Sequence, residues 1–95
     1  MPAYIIVDVE ITNPTAYEEY KKHTPGSLKP FNGKFIVRGG AVETLEGDWT
    51  PGRIVVLEFP TLEQAKAWWD SPGYAPAKLI RQQASKTRMI VVEGH

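Results

Sequence analysis

Seven residues decide the fold: RIVVLEF, from Arg53 to Phe59. Apolar side chains occupy both faces of this alternating segment, with Val55, Leu57 and Phe59 on one face and Ile54 and Val56 beside Glu58 on the other. A sheet that carries helices on one side buries only one of these two sets. The other set predicts that a surface from outside the chain covers this face of the sheet. The same face of a second copy supplies that surface in a twofold-symmetric dimer.

Three other segments alternate in the same way. Apolar and polar residues alternate over residues 3–11, 34–38 and 86–93, and each run is typical of a strand. Residues 41–46 are predicted to lengthen the arm of the central hairpin, and the turn-forming residues of segment 47–52 close it. The chain therefore contains the strands of a four-stranded sheet.

A helix is predicted after the first strand. Asn13 can cap it with a proline as the first helical residue, or Thr15 can cap it with Glu18 completing a capping box. We expect this helix to end near Lys22. The segment 23–33 that follows contains two prolines and two glycines, and it reads as a loop.

Two further helices are predicted between the third and fourth strands. Thr61 is the expected cap of the first, with Gln64 at the capping-box position, and this helix ends near Asp70. The second runs from about residue 74 to 84 and is expected to turn three apolar residues inward: Ala77, Ile80 and Ala84. The resulting order is βαββαβ, an α+β fold with an antiparallel sheet and helices on one face.

Composition limits the possible functions. The 95 residues are the size of one domain, predicted to span residues 1–95. Eleven basic and eleven acidic residues cancel, so we expect no nucleic-acid partner and no membrane surface. The chain has no cysteine, which excludes disulfides and thiol chemistry and favours a cytoplasmic location.

Three blocks, in this order and spacing, resemble the domain-of-unknown-function 1330 family. They are GKFIVRGG at Gly33–Gly40, RIVVLEFP at Arg53–Pro60 and AWWDSPGY at Ala67–Tyr74, accompanied by Tyr17 and Tyr20. The resemblance implies a ferredoxin-like fold of the dimeric α+β barrel group. It implies no activity, although proteins of related fold include cofactor-free monooxygenases and isomerases.

Arg38, Glu58 and Asp8 are the charged residues most expected to project from the apolar strands. A charge in apolar surroundings requires a partner, so Arg38 is predicted to pair with Glu58 or Asp8. One interpretation is a salt bridge without function. The other makes Arg38 a clamp for a small acid and either carboxylate a general base.

His23 is a second candidate for proton transfer, because its ordinary pKa lies nearest neutrality. The alternative is that it stabilises the end of the first helix, where a histidine suits the helix dipole. Neither His23 nor His95 has a partner at metal-ligand spacing, so no metal site is predicted.

Five aromatic residues are candidates for binding: Tyr17, Tyr20, Trp68, Trp69 and Tyr74. Aromatic residues at helical spacing are usually core residues. However, adjacent tryptophans point about 100° apart on a helix, so one of the pair must leave the main packing surface. That tryptophan is expected to line a pocket or a subunit contact.

The sequence leaves enzyme and binding protein equally open. No phosphate-binding loop, nucleophile elbow or paired catalytic carboxylate motif is present, and no cofactor is predicted. Three hypotheses remain: a cofactor-independent oxygenase or isomerase for a small aromatic or acidic compound, a ligand-binding homodimer without turnover, and a purely structural dimer.

Overall fold

A four-stranded antiparallel sheet forms one layer of the molecule. The computed structural model describes residues 1–95, and its strands are β1 (Ala3–Ile11), β2 (Lys34–Arg38), β3 (Arg53–Phe59) and β4 (Ser85–Glu93). Their order across the sheet is β2-β3-β1-β4, which leaves β2 and β4 as the edges. The sheet is open, so a closed barrel requires a second sheet.

Helices cover one face of this sheet only. They are α1 (Pro14–Leu28), α2 (Leu62–Trp69) and α3 (Ala75–Ala84), with a 3-10 turn at Lys29–Phe31. The side chains of Asn13 and Thr61 cap α1 and α2 by accepting from backbone N–H groups three residues later. The predicted βαββαβ order and fold class are confirmed.

The prediction that the first helix ends near Lys22 is wrong. It continues to Leu28 with Pro25 inside it. Proline has no N–H, so the carbonyl of Lys21, four residues earlier, loses its usual helical partner. Arg38 of β2 donates from Nη2 to that carbonyl at 3.2 Å. A contact from a distant strand thus offsets part of the local cost of the proline.

The hairpin arm predicted at residues 41–46 is not a strand. The chain between β2 and β3 is an irregular, exposed loop. Its far end is held on Asp8, which accepts from the Trp49 indole Nε1 at 3.1 Å and from the Gly52 backbone N at 2.9 Å. A side chain at Gly52 would collide with the carbonyl of Val9, so only glycine lets the loop approach β1 this closely.

Strand register separates the two faces of the sheet. The face under the helices carries the core residues of the strands: Ala3, Ile5, Val7, Val9, Val55, Leu57 and Phe59. The opposite side, which we call the open face, has a row of four apolar residues that crosses all four strands: Val37, Val56, Ile6 and Ile90. Ile90 is 60% exposed and Val37 is 39% exposed. The open face is therefore an apolar surface without cover.

The Cα trace measures 35 × 34 × 17 Å, which is one sheet and one helix layer deep. No helix has the length and apolar character needed to cross a membrane.

Candidate functional site

A cleft of about 700 Å³ lies between α2 and the β4 edge of the sheet, with the last turns of α3 at one side. We call it the α2–β4 cleft. Its apolar wall consists of Ile5, Ala65, Trp69, Met89, Ile90 and Val91. Its polar groups come from Lys66, Asp70, Arg81, Gln82, Ser85 and Thr87. A pocket of this volume that joins an apolar wall to several polar groups is typical of a small-molecule site.

Arg81 is the buried charge of the α2–β4 cleft. Arg81 is 5% exposed, and no ion pair in the structure includes it. Its Nε donates to the Tyr74 hydroxyl at 3.2 Å, and this is the guanidinium's one hydrogen bond. No fully buried polar side-chain atom lacks a hydrogen-bond partner, so the two unpaired Nη groups are not completely enclosed, and Arg81 is one of the residues that line the cleft.

A pair of tyrosine hydroxyls fixes Arg81 from behind. The Tyr20 and Tyr74 hydroxyls lie 2.8 Å apart, and either can be the donor. Tyr74 is fully buried, with its ring centroid 4.0 Å from that of Trp68. Burial raises the pKa of Tyr20 well above its ordinary value, so this phenol carries no negative charge at neutral pH.

A second, narrow cavity of about 20 Å³ lies between α1 and the sheet. This second cavity is lined by Tyr17, Arg38 and Arg53. Arg81 lines both this cavity and the α2–β4 cleft. Arg53 donates from Nη1 to the Tyr17 hydroxyl at 3.0 Å. The space holds about one water molecule, so it is too small for an organic ligand.

The predicted pairing of Arg38 with Glu58 or Asp8 is wrong. Glu58 pairs with Lys34 at 3.0 Å and Asp8 pairs with Arg88 at 3.1 Å, all on the open face. Arg38 lies on the helix-facing side, where it covers the ring of Phe35 at 4.2 Å.

A bulge explains this reversal. The register of β2 against β3 shifts between Phe35 and Val37, so one extra residue interrupts the alternation. Regular alternation from Lys34 would have placed Arg38 on the same face as Glu58. The bulge turns Arg38 to the other face.

His23 does not lie in either cavity. Since α1 continues to Leu28, His23 is in the interior of the helix, and the prediction that it ends the helix is wrong. Its Nε2 lies 3.2 Å from a Glu19 carboxylate oxygen on the exposed side of α1. His95 is at the exposed end of the chain.

The aromatic candidates divide into core and cleft. Tyr17, Tyr20, Trp68 and Tyr74 are buried, and the indole of Trp68 donates to the Ser27 hydroxyl at 3.0 Å. Trp69 is 41% exposed and lines the cleft, with the Lys78 ammonium 3.9 Å from its ring centroid. Of the candidate residues named from sequence, only Trp69 borders the cleft.

Sequence reasoning missed Arg81. Ile80 was expected inside α3, but it is half-buried, and the buried residues are Ala77, Arg81 and Ala84. These three lie at positions i, i+4 and i+7, which form one helical face. An arginine between two alanines on such a face was the available signal, because small neighbours leave room for a guanidinium to turn inward.

Asp8 has an electrostatic role away from the cleft. Hydrogen bonds from Trp49 and Gly52, with a smaller contribution from Arg88, hold its pKa below the ordinary value. No cluster of three or more His, Cys, Asp or Glu side chains is positioned to hold a metal ion.

The fold belongs to the class of ferredoxin-like α+β proteins. Within that class, the model of the DUF1330 family, a domain of unknown function, matches residues 2–95, so the chain belongs to this family. No curated protein matches the sequence.

Solved structures with the same fold are distant in sequence. A protein of unknown function from Rhodopseudomonas palustris is 18% identical with a TM-score of 0.77, and the match covers 99% of this chain and 82% of that one. A dimeric ferredoxin-like protein of unknown function from Jannaschia sp. is 13% identical with a TM-score of 0.72, covering 99% and 100%. SnoaB from Streptomyces nogalater, a cofactor-independent oxygenase, is 11% identical with a TM-score of 0.66, covering 99% and 93%. These identities support a shared fold alone.

Proposed function

We propose that residues 1–95 form one protomer of a homodimeric α+β barrel that binds a small, partly apolar organic molecule in the α2–β4 cleft. The observation that carries this proposal is the cleft itself. It is about 700 Å³ in volume, and it joins one apolar wall to a buried cation.

The homodimer is supported by the open face. Its apolar row has no cover within the chain, and the broad side of the molecule, 35 × 34 Å, exceeds the roughly 800 Å² that each partner buries in a standard interface. Each of the two ion pairs on this face joins one positive and one negative side chain, so two copies can meet without a net repulsion. The similar proteins from Jannaschia sp. and Thermobifida fusca are described as dimeric.

Light scattering at micromolar concentration checks the assembly. The expected mass is twice the 10.6 kDa of the chain. A mass of one chain at every concentration would remove the homodimer from the proposal.

Nuclear magnetic resonance checks the binding. A mixture of small aromatic acids, amides and alcohols is expected to shift the backbone signals of cleft residues such as Gln82, Thr87 and Met89. Thr87→Trp, which fills the cleft, should abolish these shifts, whereas Leu79→Trp on the exposed side of α3 should preserve them. Unchanged shifts in Thr87→Trp would place the binding elsewhere.

Cofactor-independent oxygenase or isomerase activity on the same ligand is the second candidate. It is supported by the shared fold with SnoaB. Arg38, Glu58 and His23, the catalytic candidates from sequence, do not border the cleft. Binding is therefore the first proposal, and oxygen uptake after ligand addition is the measurement that distinguishes an oxygenase from a binder.

We also propose a cytoplasmic location without a nucleic-acid or membrane partner. A chain without cysteine and with balanced charge suits the cytoplasm, and it offers no field that attracts nucleic acid or an anionic membrane.

A further inference from the structure

Arg81 differs from every other arginine of the chain. Arg88 pairs with Asp8, Arg38 donates to a backbone carbonyl, and Arg53 is only partly buried. Arg81 is 5% exposed, and the one hydrogen bond of its guanidinium goes to an uncharged acceptor, the Tyr74 hydroxyl. A guanidinium removed from water in this way is expected to have an anionic partner.

No group of the chain supplies that anion. Asp70 is the one carboxylate that lines the cleft, and it is not within ion-pair distance of Arg81. The phenol of Tyr20 stays uncharged because burial raises its pKa. The positive charge of Arg81, a residue that lines the cleft, therefore has no ionic partner within the chain.

The guanidinium is also held in a fixed direction. Tyr74 accepts from Nε, and the Tyr74 hydroxyl is itself fixed by Tyr20 at 2.8 Å. With Nε engaged, the Nη groups are the donors left for a ligand. Preorganised donors of this kind bind a carboxylate with little loss of side-chain entropy.

The surroundings of Arg81 select the rest of the ligand. Ser85 and Thr87 supply hydroxyls, and Met89, Val91 and Trp69 supply an apolar wall. A flat body can pack against that wall while its acidic group reaches Arg81.

We propose that Arg81 is the anion-binding residue of the α2–β4 cleft, that the ligand is a small aromatic carboxylate, and that Tyr74 and Tyr20 are positioning residues for the guanidinium. This inference rests on the proposed function, because it names the ligand class and the recognising group of the same cleft.

A matched pair of probes tests it. Calorimetric titration compares 2-naphthoate with 2-naphthamide, which has nearly the same shape and no charge. The wild-type protein is expected to bind the carboxylate roughly tenfold more tightly or better, since a charge-assisted hydrogen bond is about twice as strong as a neutral one. Arg81→Met should erase this preference by lowering the carboxylate affinity much more than the amide affinity, because the amide carbonyl accepts only a weaker hydrogen bond from a guanidinium.

Arg53→Met is the matched control. Arg53 also donates to a tyrosine hydroxyl, that of Tyr17 at 3.0 Å, but it does not line the cleft. The carboxylate preference should persist in this variant. Tyr74→Phe keeps the ring and removes the acceptor of Arg81, so it should reduce the preference several-fold, with a larger loss of carboxylate affinity than of amide affinity. A purely structural role would weaken the binding of both probes equally.

The outcomes separate the two proposals. Equal binding of both probes by the wild type, or a preference that survives Arg81→Met, overturns the anion site and leaves cleft binding intact. Binding of neither probe at millimolar concentration overturns this inference, while the proposed function is decided separately by the nuclear magnetic resonance titration with the ligand mixture. Should Arg81→Met fail to fold, Arg81→Gln and Arg81→Lys carry the same comparison, with Lys retaining part of the preference.

Discussion

The two faces of the sheet treat charged and apolar groups in opposite ways. On the open face the charges are paired, Lys34 with Glu58 and Arg88 with Asp8, while the apolar row is uncovered. On the helix-facing side the apolar residues are covered, while the charge of Arg81 has no ionic partner. Each face therefore lacks a different complement. The open face lacks a second apolar surface to cover it, and the helix-facing side lacks an anion to pair with Arg81.

The largest expected effect comes from placing a charge in the apolar row of the open face. Ile6 lies between Val56 and Ile90 on neighbouring strands. In a dimer, Ile6→Asp would bury an unpaired carboxylate in each copy, which costs several kcal/mol per site (about 3–5 for an uncompensated buried charge). Light scattering should give the mass of a single chain at micromolar concentration.

Leu79→Asp is the control for this change. Leu79 is an exposed leucine of the helix layer, 55% exposed. That variant should keep the dimer mass. If Ile6→Asp also keeps it, the open face is not the subunit contact.

On the helix-facing side, the largest expected loss of stability follows Trp68→Ala. Trp68 is fully buried and contacts the rings of Phe59 and Tyr74 at centroid distances of 5.6 and 4.0 Å. The substitution should lower the free energy of unfolding by about 3–5 kcal/mol in denaturant titrations. A loss of less than about 1 kcal/mol would mean that the core closes around the cavity.

A paired charge on the open face should stabilise the protein. Asp8→Asn weakens the bonds to Trp49, Gly52 and Arg88 and should reduce the free energy of unfolding by on the order of 1 kcal/mol at neutral pH. The folded-state pKa of Asp8 is lowered, so its contribution is present above the ordinary pKa and is lost as the pH falls through the lowered value.

Unfolding measured against pH checks this prediction. The difference between wild type and Asp8→Asn should be constant near neutrality and shrink in the acid range below pH 4, around and below the ordinary pKa of an aspartate, about 3.9. A difference that stays constant through that range would exclude the Asp8 charge as its source.

The smallest effect should have the opposite sign. Arg81→Met replaces a buried, ionically unpaired charge with an apolar chain and should raise the free energy of unfolding by about 1 kcal/mol. A thermal scan of the ligand-free protein measures it. Destabilisation by Arg81→Met would indicate that Arg81 is held for the fold and not for a ligand.

Local signals predicted much of the fold. Alternation located β1 and β3, and the capping hydrogen bond of Thr61 marks the start of α2 where the sequence placed it. These features depend on residues close in the chain. The errors depend on distant ones: α1 continues through Pro25, where Arg38 of β2 takes the freed carbonyl, and the bulge in β2 is visible only against β3.

The candidate site was less predictable for the same reason. Trp69 could be expected at a pocket because Trp68 occupies the adjacent direction of the helix. The two alanines on its face of α3 were the one sequence signal for Arg81, and they did not suffice to separate it from a solvent-exposed arginine until Tyr74 and Tyr20 were placed beside it. Burial of a charge is a property of the assembled layers, and a single helix does not specify it.

The most direct test observes the two matched arginines during one titration. The side-chain Nε–H signals of Arg81 and Arg53 are recorded by nuclear magnetic resonance as 2-naphthoate is added. We predict that the Arg81 signal shifts with the occupancy of the cleft, while the Arg53 signal stays in place. Binding of 2-naphthoate with an unchanged Arg81 signal would contradict the account.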